Sequence, residues 1–243
     1  MARRRRRRPR SLRPLPLALA VFLVGVLIVL VYHWREHERH RRAIAAPERL
    51  VVLDAVRVEP SLEGRRVLAR GLLRGEGELV DPIFGARAEG LLLLREVAMW
   101  QWHEERTREG GVRYVPRWAP ERIDSGSFAQ PAEHTNPERM PFSSERFRPA
   151  RVRLGAYLVP AEIVDALAAK ASPIRFDGRW LPENLAASFT IHEGELHTAA
   201  DPGRPSIGDL RIRYLVVPPL SVEIEAVARG GRLEPRADPR PLR

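Results

Sequence analysis

Residues 90–105 read GLLLLREVAMWQWHEE and form the longest candidate strand in the chain. Beyond the apolar run, its period of two places Met99 and Gln101 on one side and Trp100 and Trp102 on the other. Glu109-Gly110-Gly111 then interrupts the pattern before VRYVPRW at 112–118. The two segments predict a hairpin in which Trp102 and Tyr114 can touch across the strands. Strands therefore set the fold.

Upstream, LVVLDAVRV (50–58) and RRVLARGLL (65–73) alternate around Pro60-Ser61-Leu62-Glu63-Gly64, a turn composition. Gly75-Glu76-Gly77 lacks the third glycine and following helix of a dinucleotide loop and predicts a turn. Downstream, residues 119–149 are rich in Pro, Ser, Asn and Asp without periodicity, a long connection that must be functional or loosely ordered. Pro160 followed by Glu162 and by Ile163, Val164 and Leu167 on one face predicts a short amphipathic helix to about Ala171. Strands are expected at ASFTIHE (187–193), GDLRIRYLVV (208–217) and LSVEIEAVAR (220–229), the last two separated by Pro218-Pro219. A Gly/Asp turn leading into a long apolar strand recurs at 81–102 and 209–227, a faint internal echo.

At the other end of the chain, residues 15–32 read LPLALAVFLVGVLIVLVY without one charge. As a helix rising 1.5 Å per residue, this stretch covers about 27 Å, near the hydrocarbon thickness of a bilayer. Leu15, Phe22, Gly25 and Tyr32 are the marker residues of this span, with Pro16 in its first turn and Trp34 at an interface position. Cleavage after Ala43-Ile44-Ala45 is the competing reading, although WREHERHRR directly after the apolar run fits a signal peptide poorly. Arg3, Arg4, Arg5, Arg6, Arg7 and Arg8 should hold the N-terminus in the cytoplasm and contact lipid headgroups.

The formal charge of +10 belongs to that tail: residues 1–42 hold twelve Arg and two Glu, and the remainder sums to zero. A neutral body is not a nucleic-acid binder, so nucleic acid is not an expected partner. The absence of cysteine excludes disulfide scaffolds, Cys-ligated zinc, iron–sulfur clusters and thiol catalysis. The expected organisation is a basic cytoplasmic tail (1–14), a transmembrane helix (15–34), a charged juxtamembrane linker (35–48), an extracytoplasmic domain (49–235) and a disordered tail (236–243). The expected fold class is α+β and β-rich: one N-terminal transmembrane helix, then a mostly antiparallel β domain with one short amphipathic helix.

Catalytic spacings are not recognisable. His192 and His197 lie five apart, where a zinc-protease helix needs four, and Gly194 between them favours a hairpin carrying two exposed histidines. Ser125 has no nucleophile elbow around it. Glu133-His134-Thr135-Asn136-Pro137 is a polar cluster best explained by loop-internal hydrogen bonds. Trp100, Trp102, Trp118 and Trp180 fit core or sheet packing better than a binding surface. No catalytic, cofactor or metal residue is assigned, and no cofactor is expected. A ligand pocket or enzyme site on the 119–149 loop, lined by Asp124, His134 and Asn136, is the alternative.

Several blocks, in order, resemble the extramembrane domain of the transmembrane protein 43 (LUMA) family: EGRRVLARGLLR, LVDPIFGARAEGLLLLREVAMWQWHEE, RYVPRWAPERIDSGSF, the His134 stretch, VRLGAYLV and SIGDLRIRY. The most specific pieces are Asp81-Pro82, Phe84-Gly85, Met99 to Trp102 and Gly208-Asp209-Leu210-Arg211, supported by Trp118, His134, Asn136 and Pro137. The resemblance implies a non-enzymatic membrane protein whose large domain faces the lumen, or the outside of a bacterial cytoplasm. In eukaryotes it implies envelope organisation through lamin and emerin partners. Family members usually continue into three more spans, so a short form lacking them is expected here. The expected function is a single-pass membrane-anchored interaction or scaffold protein. Its expected partners are membrane lipids and either other proteins or further copies of itself.

Overall fold

The computed structural model describes residues 51–54 and 57–235. In chain order the strands are β1 (Val51–Asp54), β2 (Arg66–Glu76), β3 (Leu79–Val80), β4 (Arg87–Ala88), β5 (Leu92–Arg106), β6 (Val112–Ala119), β7 (Glu145–Phe147) and β8 (Arg151–Leu154). They continue as β9 (Tyr157–Val159), β10 (Ser172–Ile174), β11 (Thr190–His192), β12 (Glu195–His197), β13 (Leu210–Val217), β14 (Leu220–Arg229) and β15 (Arg232–Pro235). Two helices, α1 (Ala161–Asp165) and α2 (Glu183–Ala186), last little more than a turn each.

The basic tail, the expected span with Leu15, Phe22, Gly25 and Tyr32, the linker and the 236–243 tail lie outside the described residues. Among the described residues no helix is long and apolar enough to cross a membrane.

Five strands close a ring: β2 pairs with β14, β14 with β15, β15 with β9, β9 with β8, and β8 returns to β2. Closure is possible because β2 is long. Its C-terminal residues face β8, with Leu73 opposite Leu154, while its earlier residues face the parallel strand β1, with Val67 opposite Val51. Inward residues of this barrel, among them Val67, Ala69, Leu73, Leu154, Ile224 and Leu233, form one core with Ile163, Val164 and Leu167. Full closure removes the unpaired edges that an open sheet would expose.

The second sheet is built around β5 and β13, antiparallel over their common length from Met99 opposite Leu210 to Leu92 opposite Val217. On the far side of β13 lie β12 and β10, with β11 outside β12; on the far side of β5 lie β6 and β7. Its inner face, with Leu93, Val97, Met99, Ile212 and Tyr214, packs on Phe84, Phe176 and Phe189 in a second core. Phe84 meets Phe142 and Phe189 edge-on at centroid distances of 4.9 and 5.6 Å, the arrangement aromatic quadrupoles favour.

The β-rich architecture, the β5–β6 hairpin and the strands around Pro218-Pro219 agree with the sequence reading. Other expectations are corrected. The helix begins after Pro160 but ends at Asp165; a separate 3-10 turn, Ala168–Lys170, follows. Three small alanines at 168, 169 and 171 present no apolar stripe that would lengthen it. The expected strand at 187–193 narrows to Thr190–His192 and is preceded by α2, so the described residues hold two short α-helices where one was expected in the β domain. Gly75 and Glu76 end β2 instead of turning. The unpatterned 119–149 segment contains β7, whose pairing with residues 93–95 of β5 is nonlocal.

Candidate functional site

The 81–85 turn is organised by its first residue. Asp81 accepts the Ile83 N–H on Oδ1 at 2.9 Å, and its main-chain carbonyl accepts the Gly85 N–H at 2.9 Å. Pro82, fixed in φ, suits the position after it. Gly85 has φ +71°, and a Cβ there would sit 2.0 Å from the carbonyl oxygen of Trp180, so only glycine lets the two loops touch. The Asp81 carboxylate also accepts from Arg95 and, at 2.6 Å, from the Tyr214 hydroxyl. Arg95 completes its bonding with the Ser143 carbonyl at 3.0 Å and Glu145 at 2.7 Å. Burial, reinforced by the adjacent Asp81 carboxylate, pushes the Tyr214 phenol far above its ordinary value, so it remains a donor.

The 119–137 segment wraps the β5–β6 hairpin. Gln101, fully buried, donates to the Glu121 carbonyl at 2.9 Å and accepts from the Ile123 N–H at 2.8 Å. Asn136 then acts as a one-residue strand: its Oδ1 accepts from Trp102 N–H at 2.7 Å and its Nδ2 donates to the Trp102 carbonyl at 3.0 Å. The Asn136 N–H donates to Ser125 Oγ at 2.9 Å, closing a loop over 125–136. At its far side, His134 stacks on Tyr114 at 3.7 Å and meets Trp102 edge-on at 4.9 Å. Tyr114 and Trp102 are therefore joined through His134. Tyr114 lies opposite Glu104 and Trp102 opposite Pro116, so the two rings are diagonal neighbours on one face of the hairpin rather than a directly opposed pair. The Ala129 N–H and the Tyr114 hydroxyl hold the Glu104 carboxyl below its usual range.

Gly208 and Asp209 extend the β13 ladder past Leu210: Gly208 N–H donates to the Trp100 carbonyl at 2.9 Å and the Trp100 N–H to the Asp209 carbonyl at 2.8 Å. Gly208, at φ +97°, lies against Pro137. Asp209 accepts from Thr198 Oγ1 at 3.0 Å and from the Ser206 N–H at 2.7 Å. Leu210 is buried, and Arg211 points to the other face.

That other face carries a groove of about 480 Å³. Its floor is Leu94, Glu96 and Ala98 of β5; Trp118 and Pro120 wall one side, and residues 144–146 the other. It exists because the edge of β5 is split. β7 pairs up to Arg95, β6 pairs from Met99, and between them the Val97 N–H is satisfied only by Ser144 Oγ at 3.0 Å. Arg211 stacks over Trp118 at 4.9 Å, and Trp118 packs edge-on against its strand partner Trp100 at 5.3 Å. Both groove carboxylates are already taken: Glu96 by Arg213 at 2.6 Å and Glu145 by Arg95. Arg211 has only Glu195 at 3.8 Å, and exposed Arg146 forms no ion pair among the described residues.

Asp124, His134 and Asn136, expected to line a pocket, do not line this one. Asp124 accepts the Gly126 N–H and caps a 3-10 turn, Ser125–Ser127. The sequence signal for the true groove was the charged pair Arg95-Glu96 inside an apolar strand and the alternation of Arg211 and Arg213. The histidine reading is also corrected. His192 is exposed, but His197 is 5% exposed. The hairpin turn brings both onto one face, with ring centroids 6.2 Å apart. Burial, then Arg211 and His192 against the opposing Glu195, lowers the His197 pKa, and its Nδ1 has no partner. No group of three potential metal ligands occurs among the described residues.

Fold and groove together define a β-rich domain with a closed barrel and a second sheet bearing a basic, aromatic-walled cleft. The family model for transmembrane protein 43 matches residues 99–239, more than half of the sequence, and the chain belongs to that family. It is similar to the transmembrane protein 43 homolog of Drosophila melanogaster, at 28% identity over 201 residues, covering 75% of this chain and 52% of that protein. The chain thus spans about half the length of the curated relative it matches. No solved structure matches.

Proposed function

We propose that this chain is a single-pass membrane protein that presents its β domain outside the cytoplasm as an interaction module in membrane organisation. The observation that carries the reading is the family match, which runs through the β5–β6 hairpin, the wrapped loop and β13. Supporting it are the uncharged 15–32 stretch and the concentration of positive charge on Arg3 to Arg8 ahead of it. In a bacterium the domain would face the periplasm or cell surface; in a eukaryote, the lumen of the endoplasmic reticulum and nuclear envelope. The reading assigns no reaction and no cofactor: lipids hold the anchor, and protein neighbours or further copies of the chain meet the domain.

Topology reporters fused before Arg10 and after Arg243 test the anchor, with opposite sides of the membrane expected. Crosslinking in native membranes tests the contacts. Reporters on one side, or a chain trapped only as a monomer where known complexes are captured, would overturn the proposal.

A further inference from the structure

We infer that the cleft between β6 and β7 binds an acidic segment of a partner protein, a carboxylate side chain entering between Arg146 and Arg211 with an apolar neighbour against Trp118. The inference rests on the interaction-module reading and names the chemistry of its contact.

Three observations converge. The first is uncommitted positive charge. Glu96 and Glu145 are each held by an arginine at 2.6 and 2.7 Å, while Arg211 has only the long 3.8 Å contact with Glu195 and Arg146 forms no ion pair among the described residues. A guanidinium matches a carboxylate with two parallel hydrogen bonds, so these groups are complementary to Asp or Glu. The second is the wall. Trp118 is held edge-on by Trp100 and faced by Arg211, which gives a rigid apolar surface that needs little ordering on binding. The third is the shape. The cleft holds about 480 Å³ and exists because the edge of β5 turned away from β13 has no strand partner at residues 96–98, so it is an open trough along the strand rather than an enclosed hole.

The same features disfavour phosphate. The Val97 N–H at the cleft edge is already used by Ser144, no helix N-terminus or glycine-rich turn lines the cleft, and no lysine is present there. A short extended segment with alternating acid and apolar side chains satisfies the arginines and the tryptophan together.

The test uses the full chain in lipid nanodiscs and a fluorescein-labelled peptide of alternating glutamate and leucine. Fluorescence anisotropy should show saturable binding that weakens as salt rises. Arg146→Glu with Arg211→Glu should weaken it at least about tenfold and create binding of the matching lysine–leucine peptide. Arg232→Glu, an exposed change on the barrel, should leave binding unchanged. Should the double reversal shift the melting temperature, single Arg146→Gln and Arg211→Gln variants are read instead, each expected to weaken binding several-fold. Undiminished binding in these variants, or displacement of the peptide by free glutarate at equal concentration, overturns the inference. Crosslinks retained alongside failed peptide binding would sink the cleft assignment alone; reporters on one side of the membrane would sink the broader reading independently.

Discussion

Nη1 of Arg95 lies 2.8 and 2.7 Å from the two carboxylate oxygens of Asp81, and neither side chain reaches solvent. The pair joins the 81–85 turn to the middle of the second sheet. Breaking a buried pair leaves one charge uncompensated, a loss of about 3–5 kcal/mol. Asp81→Asn and Arg95→Met should each lower the denaturation midpoint by that measure, and the double variant should lose clearly less than their sum. Additive losses in urea titrations followed by tryptophan fluorescence would show that the two groups do not act as a unit.

Tyr214 shares the same carboxylate at 2.6 Å, and burial raises its pKa strongly. It should remain protonated in an alkaline absorbance titration to about pH 11, where exposed tyrosines have ionised. Tyr214→Phe should cost about 1–3 kcal/mol by leaving an Asp81 acceptor short of a donor.

His197 predicts a pH dependence. Its folded pKa is lowered, first by burial, so between the ordinary histidine value and that lower value the unfolded chain binds the proton more readily. Stability should be complete above about pH 6.5 and fall as pH drops through that window, with the loss complete below the folded pKa. Amide protection factors in the β11–β12 hairpin, taken relative to intrinsic exchange at each pH, should fall on acidification, and His197→Phe should flatten the response. An unchanged slope in that variant would assign the pH effect to other groups.

Asn136 replaces a strand by two hydrogen bonds to Trp102. Asn136→Ala should destabilise the protein by about 1–3 kcal/mol and open the 125–136 loop to proteolysis. Ser125→Ala, which removes the closing bond to the Asn136 N–H, should increase cleavage in the same loop with a smaller loss of stability.

Gly85→Ala should be more damaging than its size suggests, because it must leave a positive φ and displace the Trp180 carbonyl. A changed environment for Trp180, read by fluorescence emission, is the expected signature.

Local pattern was legible in the sequence where neighbours in the chain also pair in space. The β5–β6 hairpin and the β13 and β14 strands follow from period-two alternation and their flanking Gly and Pro residues. The nonlocal ladders were not legible: β1 lies parallel to β2, and β7 fills half of an edge about fifty residues earlier in the chain, which no short-range rule encodes. The roles of Gln101 and Asn136 were visible only as polar residues at unusual places. Arg95 is a charge inside an apolar strand that the sequence reading passed over, and its partner Asp81 is fixed by the fold. The cleft stayed hidden because it is a gap between two strands, one of them unseen.

The last described strand, β15, belongs to the barrel and the first, β1, is paired onto its strand β2, while the second sheet is built wholly from the intervening chain. Tension between the two ends of the domain would therefore load the barrel ladders first. The sheet with the cleft hangs from them as a mechanically sheltered platform, able to hold its shape while the ring takes the strain.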